Sequence, residues 1–262
     1  PTAERRRSGS HYTPRSLTEP IVAEALRPWL ELCHHQPTAD QVLALKVCDP
    51  AMGSGAFLVA VCRYLAGWLV QAWERDGFPD DFRQEWDKDI VARRLIAQSC
   101  LYGVDKNPFA VNLAKLSLWL VTLSQNLPFT FVDHALKEGD SLVGYSLQEI
   151  DSATEAVQLE LLREERGRYV QACVAMRRSF AEDTLDDVSY DRKKVQLNQQ
   201  IEAGKGQRLA GDLMVAAFFA ESKETMRAKA RKQYLATISG KFVDDDLPAA
   251  AQELRQRLVQ GD

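Results

Sequence analysis

The stretch that most constrains this chain is Asp49–Leu58, which reads D-P-A-M-G-S-G-A-F-L. The apolar run 43–48 before it predicts a buried strand, and the apolar-rich segment 57–73 after it predicts a helix. A strand, a tight turn with glycines and a helix start form the opening of a nucleotide-binding βαβ unit. We therefore expect an α/β fold, with Asp49 directed into the crevice where open α/β sheets bind ligands.

The glycines of this turn exclude two phosphate-binding motifs. A dinucleotide fingerprint needs G-x-G-x-x-G, and only Gly53 and Gly55 are present. A P-loop needs a Gly-Lys-Ser/Thr string, which does not follow the turn. The acidic Asp49 beside the turn repels a phosphate and suits a cationic ligand. A glycine-rich turn that binds no ligand stays open as the alternative.

A second junction of strand and helix follows at residues 101–108. Leu101–Val104 predict a strand that ends at Asp105, and Pro108 suits the first turn of a helix. Apolar spacing over 90–96 predicts a short helix before this strand. In a doubly wound sheet, a carboxylate at the end of the second strand can accept two hydrogen bonds from a ribose diol. A helix cap is the alternative role for Asp105.

The string Y-T-P at residues 12–14 precedes the first predicted helix. Apolar residues recur at helical spacing over 21–30, and either Thr13 or Ser16 can cap this helix. On its own, the string indicates no more than a capped helix start.

A third strand is predicted by the β-rich run 129–132, and the string G-D-S-L follows at 139–142. Asp140, placed at the rim of a flat pocket, can accept a hydrogen bond from an amino group. A simple Gly-Asp turn is the alternative reading of this string.

Together these strings resemble the motifs of the S-adenosylmethionine-dependent amino-methyltransferases that act on DNA. The D-P-A-M-G-S-G string resembles motif I and Y-T-P resembles motif X, which in that family surround the methionine part of the cofactor. G-V-D-K-N-P-F resembles motif II, whose acid holds the ribose, and G-D-S-L resembles motif III, whose aspartate meets the adenine amine. The resemblance covers about residues 9–144 and implies a Rossmann-like methyltransferase core over residues 1–149.

The resemblance assigns one set of residues to the cofactor S-adenosyl-L-methionine. These residues are Tyr12, Thr13, Pro14, Asp49, Pro50, Ala51, Gly53, Gly55, Asp105, Asp140 and Leu142. No metal ligand is assigned.

The family's catalytic motif, Asn/Asp-Pro-Pro-Tyr/Phe, is not found, because no Pro-Pro pair occurs in the chain. Asn107-Pro108-Phe109 follows the second strand and belongs to motif II. The resemblance therefore implies an N-terminal fragment, inactive alone, of an adenine-N6 DNA methyltransferase from a restriction–modification or phage-defence system. Motif order and the Y-T-P string favour adenine N6 over cytosine N4.

Residues 150–262 have a different composition and predict a helical hairpin or bundle, appended to the core as an insertion. Helices are expected within 153–181 and 186–234. Basic residues concentrate at 192–194 and 227–232. These residues form either a solvated helix face or a surface for the phosphate backbone.

Composition limits the setting and the partners of the chain. Its five cysteines are scattered without a C-x-x-C pair, which favours a reducing cytoplasm over a disulfide scaffold or a zinc site. The net charge of −4 gives no overall nucleic-acid signature, so any DNA contact must be local. We find no signal peptide, and no uncharged apolar stretch long enough to span a membrane.

Three functions remain open at this stage. The first is methylation of duplex DNA, contacted mainly through the part of the protein that bears the missing motif, with a restriction or specificity subunit as a possible partner. The second is methylation of RNA or of a protein glutamine. The third is a non-catalytic module that binds cofactor or acts as a scaffold.

Overall fold

The structure is a computed structural model. It describes residues 13–80, 82, 87–122, 132–155, 167, 169–175, 195–199, 201 and 204–238. The described residues divide into two compact units, the first up to Ser141 and the second from Leu142 onward, apart from Val195, which belongs to the first. Each unit is described by itself. The predicted division at 149–150 lies eight residues further along the chain.

The first unit contains a three-stranded parallel sheet. Its strands are β1 (Val47–Asp49), β2 (Leu101–Asp105) and β3 (Leu136–Glu138), in the spatial order β1-β2-β3. Val47 pairs with Leu101, and Gly103 pairs with Leu136. Because all three strands run in the same direction, their carboxyl ends lie at one edge of the sheet. The expected α/β class is confirmed at this level, as a mostly helical unit with a small parallel sheet.

Five helices accompany this sheet in the part of the unit that the structure describes. They are α1 (Arg15–Leu32), α2 (Ala39–Ala44), α3 (Ala56–Asp76), α4 (Lys88–Ser99) and α5 (Pro108–Thr122). The helices predicted over 57–73, over 90–96 and from Pro108 are confirmed. Helices α3, α4 and α5 supply most of the buried side chains of this unit. The core therefore forms where these helices pack against one another and against β2.

Helix α3 is the central core helix of the unit. By length and composition it could cross a membrane, although it contains Arg63 and about half of its apolar window is buried inside the unit. Leu58, Leu65 and Leu69 are fully buried in the core. Packing against the neighbouring helices therefore accounts for its apolar character.

The strand predicted over 43–48 is wrong at its beginning. Leu43 and Ala44 form the end of α2, and β1 begins only at Val47. A capping box starts α2: the Gln41 amide donates to Thr38 Oγ1 at 3.3 Å, and the Thr38 amide donates to Gln41 Oε1 at 2.9 Å. These two bonds satisfy donors at the start of a helix, so the apolar run begins as a helix and ends as a strand.

Two further expectations are corrected. Pro14 occupies the N-cap of α1 and no side chain caps that helix, so neither Thr13 nor Ser16 does. Residues 129–131 of the predicted third strand lie outside the described residues. Val132 is not in a strand: its carbonyl accepts the amides of Ala135 and Leu136 at 3.0 and 3.1 Å, which forms a turn, and β3 follows it.

Helix α5 buries fewer of its apolar residues than its composition suggests. Ala110, Val111, Ala114 and Leu118 face the core, as a helical stripe requires. Trp119 and Val121 are half-buried, and four further large apolar side chains of α5 are exposed. They are Phe109, Leu113, Leu116 and Leu120.

The described residues of the second unit form helices and the loops between them. It contains α6 (Leu147–Glu155), α7 (Lys205–Ala220) and α8 (Glu224–Ile238), with shorter helical stretches at 169–175 and 196–199. Its core includes Ile150 of α6, Leu213 and Met214 of α7 and Leu235 of α8. Gly204 is the N-cap of α7, and a break at 221–223 separates α7 from α8.

We expect Gly103→Ala to destabilise the first unit. A Cβ at Gly103 would contact Met52 Sδ, with Leu58 Cδ1 at 3.0 Å and Leu136 Cδ2 at 3.2 Å, in a buried strand. Overpacking of this kind costs about 1–3 kcal/mol of unfolding free energy, which urea denaturation measures. Gly67→Ala in α3 is the control, because its Cβ meets nothing within 4 Å and a helical alanine is favoured by about 0.5–1 kcal/mol. Equal stability of the two variants would contradict this account of the core.

Candidate functional site

The glycine turn between β1 and α3 has the backbone that its sequence predicts. Gly53 and Gly55 have φ values of 53° and 81°, in the left-handed region that favours glycine. Gly55 is the N-cap of α3, and a Cβ there would lie 3.0 Å from Ala114 Cβ of α5. The turn therefore needs glycine at 55 for two reasons, the backbone conformation and the close approach of a neighbouring helix.

Hydrogen bonds hold this turn against the end of β2. The Met52 amide donates to the Val104 carbonyl at 3.0 Å, and the Gly55 amide donates to the Met52 carbonyl at 2.8 Å. At the start of the turn, Asp49 Oδ1 accepts the Ala51 amide at 3.0 Å. Asp49 therefore shapes the turn by its own side chain, while Met52 is buried beneath it.

Asp105 connects the ends of the first two strands. One carboxylate oxygen, Oδ2, accepts the Gly53 amide at 2.8 Å, and the other, Oδ1, accepts the Asn107 amide at 2.8 Å. The bond to Asn107 is a side-chain turn just before α5. Asn107 itself caps that helix, because its Oδ1 accepts the Phe109 amide at 3.0 Å, so the capping role left open for Asp105 belongs to Asn107. A carboxylate has about four acceptor positions, so this one can accept further hydrogen bonds. The bond to Gly53 could not be read from the sequence.

Asp140 lies on the loop after β3 at the same edge. Its Oδ2 is 3.3 Å from Lys106 Nζ, on the residue after Asp105. The Gly139 amide donates to the Asp105 carbonyl at 3.0 Å, which continues the pairing of β2 and β3 into this loop. The edge therefore brings the Asp49, Asp105 and Asp140 carboxylates onto neighbouring strand ends, with one exposed lysine beside them.

A cavity of about 230 Å³ lies next to the glycine turn, between α1, α3 and α5. Thr13 and Ser54 both line it, so the start of α1 lies beside the start of α3. Charged side chains reach it as well, namely Arg15 and Glu19 of α1 and Arg63 of α3. The cavity offers hydroxyl donors together with both signs of charge, which suits a polar, zwitterionic group.

The remaining predicted residues have different positions. Pro50 and Ala51 are exposed in the glycine turn, and Pro14 is exposed at the start of α1. Tyr12 lies outside the described residues. Leu142 is 93% exposed and belongs to the second unit. Sequence reasoning missed Ser54 and Lys106, although both lie within the strings on which it relied.

Family comparisons agree with this architecture. A family model described as the MmeI DNA-methyltransferase domain matches residues 34–150, and one described as the Eco57I restriction-modification methylase matches residues 99–206. Over residues 34–206 the chain is thus similar to DNA methyltransferases of the restriction–modification type. The resemblance predicted from the motifs is thereby confirmed.

A relative in Methanocaldococcus jannaschii also matches part of the chain. It is named a putative type II restriction enzyme and methyltransferase, and it is 31% identical over 169 residues. The match covers 52% of this chain and 13% of the relative, so the chain corresponds to a small part of that protein. No solved structure matches the chain.

Asp105→Ala is expected to destabilise the first unit even without any ligand. The substitution leaves the Gly53 and Asn107 amides without their acceptor, which costs about 1–3 kcal/mol of unfolding free energy. Urea denaturation measures this loss. Glu138→Ala is the matched control at the end of β3, because Glu138 is exposed and no described residue bonds to its side chain. If both variants unfold at the same urea concentration, the connecting role of Asp105 is wrong.

Proposed function

We propose that this chain forms the S-adenosylmethionine-binding part of a methyltransferase that modifies adenine N6 in duplex DNA. The fold is proposed to be one side of a Rossmann-like sheet. The observation that carries the proposal is the left-handed glycine turn held against Asp105, with Asp140 on the next strand end. The family comparisons support DNA as the methylated molecule.

The chemistry of this edge suits S-adenosylmethionine better than a phosphorylated cofactor. The cofactor presents a sulfonium cation, a ribose diol and an adenine amine, and each is attracted to a carboxylate or donates to one. Three aspartates at one edge would repel a pyrophosphate, whereas they complement these groups. The glycine turn leaves the backbone open beside Gly53, where an added Cβ would meet nothing within 4 Å.

Each part of the cofactor has a proposed position. Asp105 accepts hydrogen bonds from the ribose hydroxyls through its unused lone pairs, and Asp140 accepts from the adenine amine. Lys106 then has to leave its 3.3 Å contact with Asp140 or turn aside. The methionine end lies near Gly53, Gly55 and the cavity lined by Thr13 and Ser54. Tyr12, Pro14, Pro50, Ala51 and Leu142 stay predictions.

The reaction is a displacement at carbon. Bound S-adenosylmethionine supplies an electrophilic methyl group on sulfur. Transfer of this methyl to adenine N6 would break the carbon–sulfur bond, leave S-adenosylhomocysteine and release one N6 proton. Because the target base is stacked in a duplex, it must be flipped out to reach the methyl group. The residues described above bind and orient the cofactor, and the acceptors for N6 are proposed to lie on the Asn/Asp-Pro-Pro-Tyr motif elsewhere in the protein.

The cellular setting is also part of the proposal. A cytoplasmic restriction–modification or related defence system is consistent with the family models and with the named relative. Duplex DNA and a restriction or specificity subunit are the proposed partners.

Calorimetric titration with S-adenosylmethionine tests the cofactor assignment. Wild-type chain should bind saturably, and Asp140→Ala should weaken binding by about 1.5–3 kcal/mol, the size of a hydrogen bond to a charged group. Asp140 is a cleaner probe than Asp105, because Asp105 also holds the glycine turn. Glu138→Ala, two residues away and exposed, should bind as wild type does.

A second measurement tests the methylated atom. Whole protein bearing the missing motif should convert adenine to N6-methyladenine in duplex DNA, which nucleoside mass spectrometry detects. Methylation of RNA alone would show that the proposed DNA substrate is wrong. Failure of wild-type chain and whole protein to bind S-adenosylmethionine would remove the cofactor assignment.

A further inference from the structure

Helix α8 of the second unit is strongly basic in an acidic chain. Four cationic side chains and a single carboxylate occur in α8, whereas the whole chain has a net charge of −4. Helical geometry divides these charges between two opposite faces. Their division decides which charges serve the fold and which remain available to a partner.

The inward face of α8 contains the two arginines. The Arg227 guanidinium lies 4.0 Å from the centroid of the Phe218 ring, and its Nε donates to the Glu221 carbonyl at 2.7 Å. Arg231 lies 3.3 Å from Glu224 Oε1 and 6.0 Å from the centroid of the Tyr145 ring. The same face continues to Tyr234 and Leu235, which pack in the core of the unit. These arginines are therefore engaged in holding α8 in place.

The outward face of α8 contains the two lysines. Thr225, Lys229, Lys232 and Ala236 are spaced by four, three and four residues, so they form one stripe along the helix, and all four are exposed. Among the residues that the structure describes, no carboxylate lies within ion-pair distance of Lys229 or Lys232. Gln233 lies at the side of this stripe and adds a hydrogen-bonding amide.

An ordinary solvated helix face does not have this pattern. Exposed faces usually mix both signs of charge, because opposite charges three or four residues apart stabilise a helix. Here the single carboxylate, Glu224, points to the inward face, and two like charges lie three residues apart at a small energetic cost. The arrangement favours binding of an extended anion over stability of the helix.

The neighbouring groove between α6 and α8 does not share this property. It is lined by Glu149 and Glu224 and by Arg231 and Lys232, so the two signs of charge balance there. Lys232 lies where the stripe meets the groove, so the excess positive charge is on the exposed side of the helix. A row of exposed side chains along a helix suits a polymer backbone better than a small anion.

We infer that the outward stripe of α8, with Gln233 at its side, contacts the phosphate backbone of duplex DNA. The inference rests on the proposed function for its choice of polyanion. Lysine ammonium groups neutralise phosphates without reading bases, and Thr225 and Gln233 can donate to phosphate oxygens. The stripe therefore contributes affinity independent of sequence.

Salt dependence of DNA binding tests this inference. Fluorescence anisotropy with a labelled duplex, repeated over a series of KCl concentrations, gives the slope of log affinity against log salt. Each lysine that loses a phosphate contact lowers the magnitude of this slope by about one, so Lys229→Ala with Lys232→Ala should lower it by about two. Alanine preserves the helix, so the loss reports charge. Lys229→Arg with Lys232→Arg should retain the wild-type slope.

A matched double variant controls for total charge. Arg27→Ala with Lys88→Ala removes two positive charges from the first unit and should leave the slope unchanged. The inference is wrong if the two alanine pairs change the slope equally, if neither changes it, or if the stripe binds anionic vesicles and not DNA.

S-adenosylmethionine titration separates this inference from the proposed function. The lysine-to-alanine pair should bind S-adenosylmethionine with wild-type affinity. Wild-type chain that binds the cofactor but no duplex at low salt overturns the DNA stripe alone. Wild-type chain that binds neither overturns the DNA stripe, and the cofactor assignment is then decided by the whole protein, as described above.

Discussion

The Asp105 carboxylate holds together the part of the molecule on which the rest depends. By accepting the amides of Gly53 and Asn107, it connects the turn after β1 to the start of α5. This glycine turn sets where α3 begins, and α3 is the helix around which the core forms. Asp105, which the motifs assign to the cofactor, thus also stabilises the fold. Any measurement on Asp105 therefore combines folding with binding, and Asp140 gives a cleaner result.

Sequence reasoning succeeded where a local signal was strong. Helices α3 and α5 and strand β2 follow from apolar spacing and from Pro108, and the left-handed turn follows from two glycines. The beginning of β1 was wrong because the run 43–48 is apolar without a period, although the T-x-x-Q capping box at Thr38 was readable. The contact between Lys106 and Asp140 joins residues 34 positions apart, so no local pattern could indicate it.

The site could be predicted only through the resemblance to known motifs. Local chemistry suggested carboxylates at strand ends, and the structure brings Asp49, Asp105 and Asp140 to one edge of the sheet. It does not follow from spacing that Ser54 lies in a cavity with Thr13, because that depends on how α1 packs against α3. The exposed leucines of α5 show the same limit: apolar spacing indicates which residues can be buried, and packing decides which are.

The order of the strands has a consequence for synthesis of the protein. Each strand pairs with the next one in the sequence, and both pairings are complete by Glu138. The two pairings join residues 54 and 33 positions apart, Val47 with Leu101 and Gly103 with Leu136, and neither needs a segment beyond Glu138. Since domains fold from the amino terminus as the chain leaves the ribosome, the acidic sheet edge can assemble while the basic helix α8 is still being translated.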